Sequence, residues 1–418
     1  MTSRERVKAA LNHVEPDKVP IDFGGQDCSM MHITCVAKLR EYYGLKGPVK
    51  LTEVSTMTGM IDDDLKEAMG CDVEALESYK NFFGIPKKDW KEWNYMGYDI
   101  LVPGDFNVTD DGDGGYYIYP SGDMSAPPSG HMPKGGFYFD NIIRTPDIDE
   151  DHMDYHDNLE EYQPVPDDLL TYYKEQIDHL AKSDRAVTAC FGYAGLGDAA
   201  LVPGPTLAYP KGIRSIDGWY MAPLLYPEYI HDLHNAQIDI AIENYKKIAE
   251  VVGDEVDVAF TCGADFGTQR GPMCSREVLE EFYIPYYKRM NDWIHENTSW
   301  KTLKHCCGAI FDYIPLFIEA GFDALNPVQC SAVGMDPQKL KDEYGKDITF
   351  WGGGVDTQRI LPFGTPEQVR EQVLERCEIF SKGGGYIFNS IHIVQCGTPV
   401  ENIVAMIDAA HEFNGDRR

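Results

Sequence analysis

The run Thr302-Leu303-Lys304-His305-Cys306-Cys307-Gly308 decides how the chain is read. Its first half is short and apolar, like a buried parallel strand, and it ends on a polar His-x-Cys pair. An amphipathic stretch over 310–320 follows, and a second apolar run over 324–328 comes after it. Strand, helix and strand in that order make a βα repeat. Working outward, 186–191, 256–262, 348–352 and 386–393 read as further strands, with amphipathic helices over 229–251, 276–297 and 366–382. Near the N-terminus, Ser3 can cap a first helix running to about Val14. Val19-Pro20-Ile21-Asp22-Phe23-Gly24-Gly25 then reads as a short strand entering a Gly-rich turn. A further helix is expected from about Met30 to Tyr43. The strand count approaches eight, and no Gly-x-Gly-x-x-Gly follows the first strand. The expected fold is therefore α/β, a (β/α)8 TIM barrel in preference to a doubly wound dinucleotide fold. The segment from about Trp90 to Arg144 differs in kind, being rich in Gly, Tyr, Asp and Pro with alternating fragments such as Tyr116-Tyr117-Ile118-Tyr119. It reads as a β-hairpin excursion with surface loops. One barrel domain over 1–418, with a β-rich insertion at about 90–145, is the expected organisation.

The bulk numbers exclude several partners. Of the 418 residues, 43% are hydrophobic and 25% charged, as in an ordinary globular protein. No apolar run approaches the roughly 20 residues of a membrane helix. The opening Met1-Thr2-Ser3-Arg4-Glu5-Arg6 has no apolar core of a secretory signal, so the cytoplasm is expected. A net charge of −31 points away from nucleic acid, anionic membrane and polyanionic substrates. Eleven cysteines, an odd number without a signal segment, predict thiols and not a disulfide framework. Four of them, Cys262, Cys307, Cys330 and Cys396, lie near the ends of strand-like runs in the C-terminal half.

Imidazole and thiolate two residues apart, as in His305 and Cys307, suit a borderline-soft ion such as Zn²⁺. A hydrogen-bonded core histidine beside a small buried cysteine would give the same spacing. Position bears on both readings and leaves them open. Barrel enzymes carry their chemistry at the C-terminal ends of the strands. Asp22, Asp265, His305, Cys307, Asn326, Gln329, Asp356, His392 and Cys396 all fall at or just after such ends.

These residues sit in a familiar order. Thr2-Ser3-Arg4-Glu5-Arg6-Val7, Val19-Pro20-Ile21-Asp22-Phe23-Gly24 and Asp265-Phe266-Gly267-Thr268-Gln269 come first. His305-Cys306-Cys307-Gly308, Ala320-Gly321-Phe322-Asp323-Ala324-Leu325-Asn326-Pro327, Gly352-Gly353-Gly354-Val355-Asp356 and Thr398-Pro399-Val400-Glu401-Asn402-Ile403 complete the series. Together they resemble the uroporphyrinogen decarboxylase-like superfamily. The resemblance implies one of two chemistries. Cofactor-free decarboxylases grip a polycarboxylate with arginines, including an N-terminal Met-Arg-Gln-Ala-Gly-Arg motif. The corresponding region here, Gly24-Gly25-Gln26-Asp27-Cys28-Ser29-Met30-Met31-His32, has no arginine. The cobalamin-dependent methyltransferase branch instead implies a Zn²⁺ barrel with a His-x-Cys pair and a later cysteine on the last strand.

His305 and Cys307 match that pair. Counting back from Thr398-Pro399, the later ligand falls at His392, while Cys396 lies four residues on. Motif register favours His392 and thiolate softness favours Cys396. The resemblance further implies that a methyl group moves from a small O-, S- or N-methyl substrate to a corrinoid carried by a separate protein, since the chain lacks an Asp-x-His-x-x-Gly signature. Asp265 is the candidate orienter or proton donor, with a loop hydrogen bond as its alternative. Asp22, Gln269, Asn326, Gln329 and Asp356 are the candidate substrate contacts; the alternatives are a plain strand end for Asp22, a surface pair with Arg270 for Gln269, and turn-stabilising roles for the other three. A cofactor-free decarboxylase of another carboxylate, or a non-catalytic binding protein, are the competing functions.

Overall fold

A computed structural model describes residues 1–145 and 148–416 of the chain. Seven parallel strands form one sheet in the spatial order Val73–Leu76, Ala186–Cys190, Val258–Cys262, Lys301–His305, Ala324–Asn326, Thr349–Trp351, Tyr386–Ile387. The early segment closes it. Ile21 bridges Phe388 in parallel, and its carbonyl accepts the Asp72 N–H at 2.7 Å on the other side. The sheet is thereby a (β/α)8 barrel whose eighth stave is a single extended crossing at 20–22.

Side-chain alternation explains how the barrel fills. Val73, Ala186, Val258, Leu303, Ala324, Trp351 and Ile387, one from each of the seven strands, join Val7, Ala10 and Leu11 in a common buried cluster. The first helix, Ser3–Leu11, therefore caps the barrel's lower end. Thr2, not Ser3, caps that helix, through a reciprocal pair with Glu5, while the Ser3 hydroxyl donates to Asp72. Two residues along from Leu303, on the same face, stands His305, and between them Lys304 points the other way. Lys304 is fully buried, donates to the carbonyls of Ala264 and His305, and lies over the rings of Phe266, Tyr287 and Phe317.

Several expected elements are shorter or broken. The 276–297 helix is two helices, Arg276–Phe282 and Ile284–Asn297, because Pro285 cannot continue the hydrogen-bond ladder. The stretch before Pro315 is likewise a 3₁₀ turn, Phe311–Tyr313, leading to a short helix, Ile314–Glu319. The helix expected from Met30 begins only at Ile33, with His32 as its cap. Past Tyr386–Ile387 the 386–393 run leaves the sheet and turns across the mouth. The strand Val73–Leu76 escaped the sequence reading, since Val-Glu-Ala-Leu has no strand pattern and Glu, Ala and Leu are good helix formers.

The β-rich insertion holds two small sheets. Lys91–Tyr95 and Tyr98–Val102 pair as a hairpin on one edge of Val49–Glu53, whose other edge carries Thr58–Gly59 and, beyond it, Met31–His32. Val108–Asp110, Tyr116–Ile118, Gly130–Met132 and Asp140–Asn141 make a four-stranded meander. They share a core of their own, built around Phe83, Ile100, Phe106, Met132 and Phe139. The strands at 49–59 lie outside the expected insertion, so this layer is assembled from two separate parts of the chain. All eleven cysteines are free, and no helix among the described residues is long and apolar enough to cross a membrane.

Buried histidines set a pH dependence. His32 and His234 are completely buried, and that burial pulls each down to about 4 from an ordinary 6.5. The unfolded chain thus takes up protons first as pH falls, and stability is lost from about pH 6.5 down to about 4. Each histidine should cost about 2 kcal/mol by pH 5. Asp198, raised by burial to about 7, works in the opposite sense, so the assignment is read from a variant: the urea midpoint of His234→Gln should fall less between pH 7.5 and 5.0 than that of the wild type, and an equal fall in both would contradict it.

Candidate metal centre

The C-terminal ends of the strands converge on His305. Its Nδ1 lies 2.8 Å from Asn326 Oδ1, and Asn326 Nδ2 donates to the Trp351 carbonyl at 2.8 Å. That second bond fixes which end of the amide faces the imidazole. Nδ1 therefore carries the proton, and the lone pair on Nε2 points to the mouth. Asn326 is completely buried and fully engaged. Its amide is spent on His305 and Trp351 and is not exposed at the mouth, where the sequence expectation would need it.

Around Nε2 stand two overlapping groups of donors. Asp265, His305 and Cys307 form one, and Cys28, His305 and His392 the other; within each, the donor atoms lie within 4.8 Å of one another. Cys307 Sγ is 3.3 Å from Nε2, Cys28 Sγ 3.9 Å and Asp265 Oδ1 3.8 Å. The His305 and His392 rings meet edge to face at 5.4 Å. The loop carrying Cys307 is held firmly: its N–H donates to Asp265 at 2.6 Å and that of Gly308 to Gln329 Oε1 at 2.7 Å. Gly308 has φ +93°, and a Cβ there would stand 2.3 Å from the Gly267 carbonyl carbon, so only glycine fits after the pair.

Burial sets the protonation of these donors. Burial pushes the Cys28 and Cys307 thiols well up, and the neighbouring carboxylates of Asp27 and Asp265 add to it. Burial lowers His305, against an opposing pull from Asp265, and it lowers His392 to about 4, helped by His305. Both imidazoles are thus neutral near pH 7, as ligation requires. Imidazole, thiol and carboxylate donors are of the kinds that Zn²⁺ takes, and the two groups meet at His305 alone, Cys307 sharing a group with neither Cys28 nor His392.

The other expected site residues divide. A cavity of about 770 Å³ opens beside the cluster. Cys307, His392, Gln269 and Gln329 line it, with Phe137 and Phe363 on its apolar side. None of its lining residues is an arginine, lysine, aspartate or glutamate. Asp22 is not exposed to it. That carboxylate is completely buried, accepts the Trp351 indole N–H and the Gly25 N–H at 2.8 Å each, and so ties the closing segment to the sheet. Asp356 is absent from the lining as well, because its carboxylate caps a turn at the Gln358 N–H. Cys396 lines the cavity, but its sulfur lies 3.8 Å from Thr34 Oγ1 and 3.9 Å from Met96 Sδ. It belongs to neither donor group; the fold brings His392 to His305 instead. Cys28 was missed, although the Gly-rich turn after the first strand carries it to the mouth by the logic that selected Asp22.

Comparison with known proteins agrees with this architecture. The uroporphyrinogen decarboxylase (URO-D) family model matches residues 144–413, and the chain belongs to that family. Uroporphyrinogen decarboxylase from Psychromonas ingrahamii is 22% identical over 273 residues, covering 62% of this chain and 68% of that protein. The enzyme of the same name from Pseudoalteromonas translucida is 25% identical over 179 residues, covering 40% of this chain and 47% of the relative. These matches thus span from about half to two thirds of the relatives' length. A solved methyltransferase from Methanosarcina mazei superposes with a TM-score of 0.55 at 15% identity, over 99% of each chain, and so shares the fold.

Asn326→Leu removes the acceptor that fixes the His305 tautomer. Its zinc affinity, measured by competition with a chelator, is expected to fall by about 10- to 100-fold with the fold intact. An unchanged affinity would contradict the role given to Asn326.

Proposed function

We propose that this chain is the zinc-dependent methyltransferase component of a corrinoid system, taking a methyl group from a small O-, S- or N-methyl compound. The observation that carries this reading is the His305 Nε2 lone pair, set by Asn326 and surrounded by thiols and a second imidazole at the barrel mouth. Decarboxylation calls for no such donor set. The likeness in fold to a methyltransferase supports the same branch. His305, Cys307 and His392 are the residues that would hold the ion. Bound there, Zn²⁺ supplies Lewis-acid activation of an ether, thioether or amine heteroatom, or of an acceptor thiol.

The remaining steps fall to side chains of this protein. Asp265 holds the Cys307 loop through that residue's backbone N–H, and its partly exposed carboxyl, 3.8 Å from His305 Nε2, would be the proton donor to a departing heteroatom. Gln269 and Gln329, with Phe137 from the insertion and Phe363, offer amide hydrogen bonds and ring surface to an uncharged substrate. The corrinoid would be presented by a partner protein docked over the mouth, in the cytoplasm.

The relatives' names favour a second reading, decarboxylation of another carboxylate. Against it stands the cavity lining, which offers no arginine or lysine to a carboxylate substrate.

The purified protein, mixed with cob(I)alamin and a panel of methoxylated, methylthio and methylamino compounds, is expected to form methylcobalamin with at least one, followed by absorbance. Cys307→Ala should reduce the rate to background without unfolding the protein. An active, zinc-replete Cys307→Ala variant would overturn the proposal, and carbon dioxide release from a carboxylate panel would install the alternative.

A further inference from the structure

The donor set holds one residue that this reading does not use. Cys28 lies in the one-turn 3₁₀ helix Asp27–Ser29, directly after the closing stave of the barrel. That turn is heavily pinned. The Gly24 and Gln26 N–H groups donate to Ser29 Oγ at 3.1 Å, Ser29 Oγ donates to the Gln26 carbonyl at 2.9 Å, and Gly25 is tied to Asp22. Among the described residues, the one polar contact of the Cys28 sulfur is His305 Nε2 at 3.9 Å. It also lies within 4.8 Å of a His392 ring nitrogen. With ordinary zinc–sulfur and zinc–nitrogen lengths, a tetrahedral site separates S from N by roughly 3.5 Å. The Cys28 and Cys307 sulfurs, at 3.9 and 3.3 Å from the same nitrogen, each lie near that value, but they share no donor group, so one ion held by both would draw them closer together.

We infer that Cys28 is itself a metal ligand, adding a second thiolate to the set of His305, Cys307 and His392. The inference rests on the zinc reading of the site and assigns the first barrel crossing a direct part in it. The barrel's seam would then be fastened by the ion, since Cys28 follows the first stave and His392 follows the last. The pinned turn gives the reason for its precision: a sulfur held by a rigid loop needs little ordering to bind.

The test uses the full chain stripped of metal and reloaded with Co²⁺, whose near-ultraviolet thiolate-to-metal band reports the number of bound sulfurs. Cys28→Ser and Cys307→Ser should each bind one cobalt with that band reduced to about half, and the double variant should lose it. Cys274→Ser, a half-buried thiol outside the site, should keep the full band. Mass spectrometry after alkylation gives a second measurement that needs no variant: zinc should protect Cys28 and Cys307 together. A Cys28→Ser band and cobalt affinity equal to wild type, or alkylation of Cys28 at one rate with and without zinc, would overturn the inference while leaving the zinc reading standing. Failure of the wild-type protein to bind either metal would overturn both.

Discussion

The hydrogen bond from His305 Nδ1 to Asn326 Oδ1 is the interaction on which the site depends. It decides the tautomer of the one imidazole that both donor groups share, and so whether a lone pair faces the mouth at all. Its precision comes from the sheet. Asn326 ends its strand directly beside His305 in the parallel register, and its amide is locked by the carbonyl of Trp351 on the next strand. Trp351 in turn donates its indole N–H to Asp22, on the stave that closes the barrel. A single chain of bonds therefore runs from the seam of the barrel, through its core, to the site.

That chain explains why two polar residues at strand ends are closed off from the mouth. Asp22 and Asn326 are buried and spend their hydrogen-bonding capacity on neighbours. A polar group left unpaired there would be costly, and a paired one holds its neighbour still. The barrel mouth thus sorts its polar residues into those that hold and those that are free to act. His305, Cys307, His392 and Cys28 belong to the second kind, Asp265 does both by holding the Cys307 loop, and the amides of Gln269 and Gln329 flank them.

Much of this was legible in the sequence. Apolar runs alternating with amphipathic helices fixed the strand order, and the His-x-Cys pair after one of them marked the mouth. Three things were not. Val73–Leu76 has no strand pattern, because its place in the barrel depends on neighbours distant in sequence. The strands at 49–59 gain their meaning only by pairing with the hairpin at 91–102. The division of roles among Asp22, Asn326, Asp356 and Cys396 depends on burial and on partners across the barrel, which spacing along the chain does not carry. Cys28 is the instructive case: its position after the first stave was readable, but nothing local distinguished it from ten other cysteines.

The proposal that this barrel mouth holds a divalent cation rests on the donor atoms gathered around His305. The most direct test is the zinc content of protein purified without a histidine tag, before and after chelation. The account predicts about one tightly held zinc per chain, removable and restorable. Protein that stays folded, carries no zinc and cannot be reconstituted would contradict it and return His305 and Cys307 to the core.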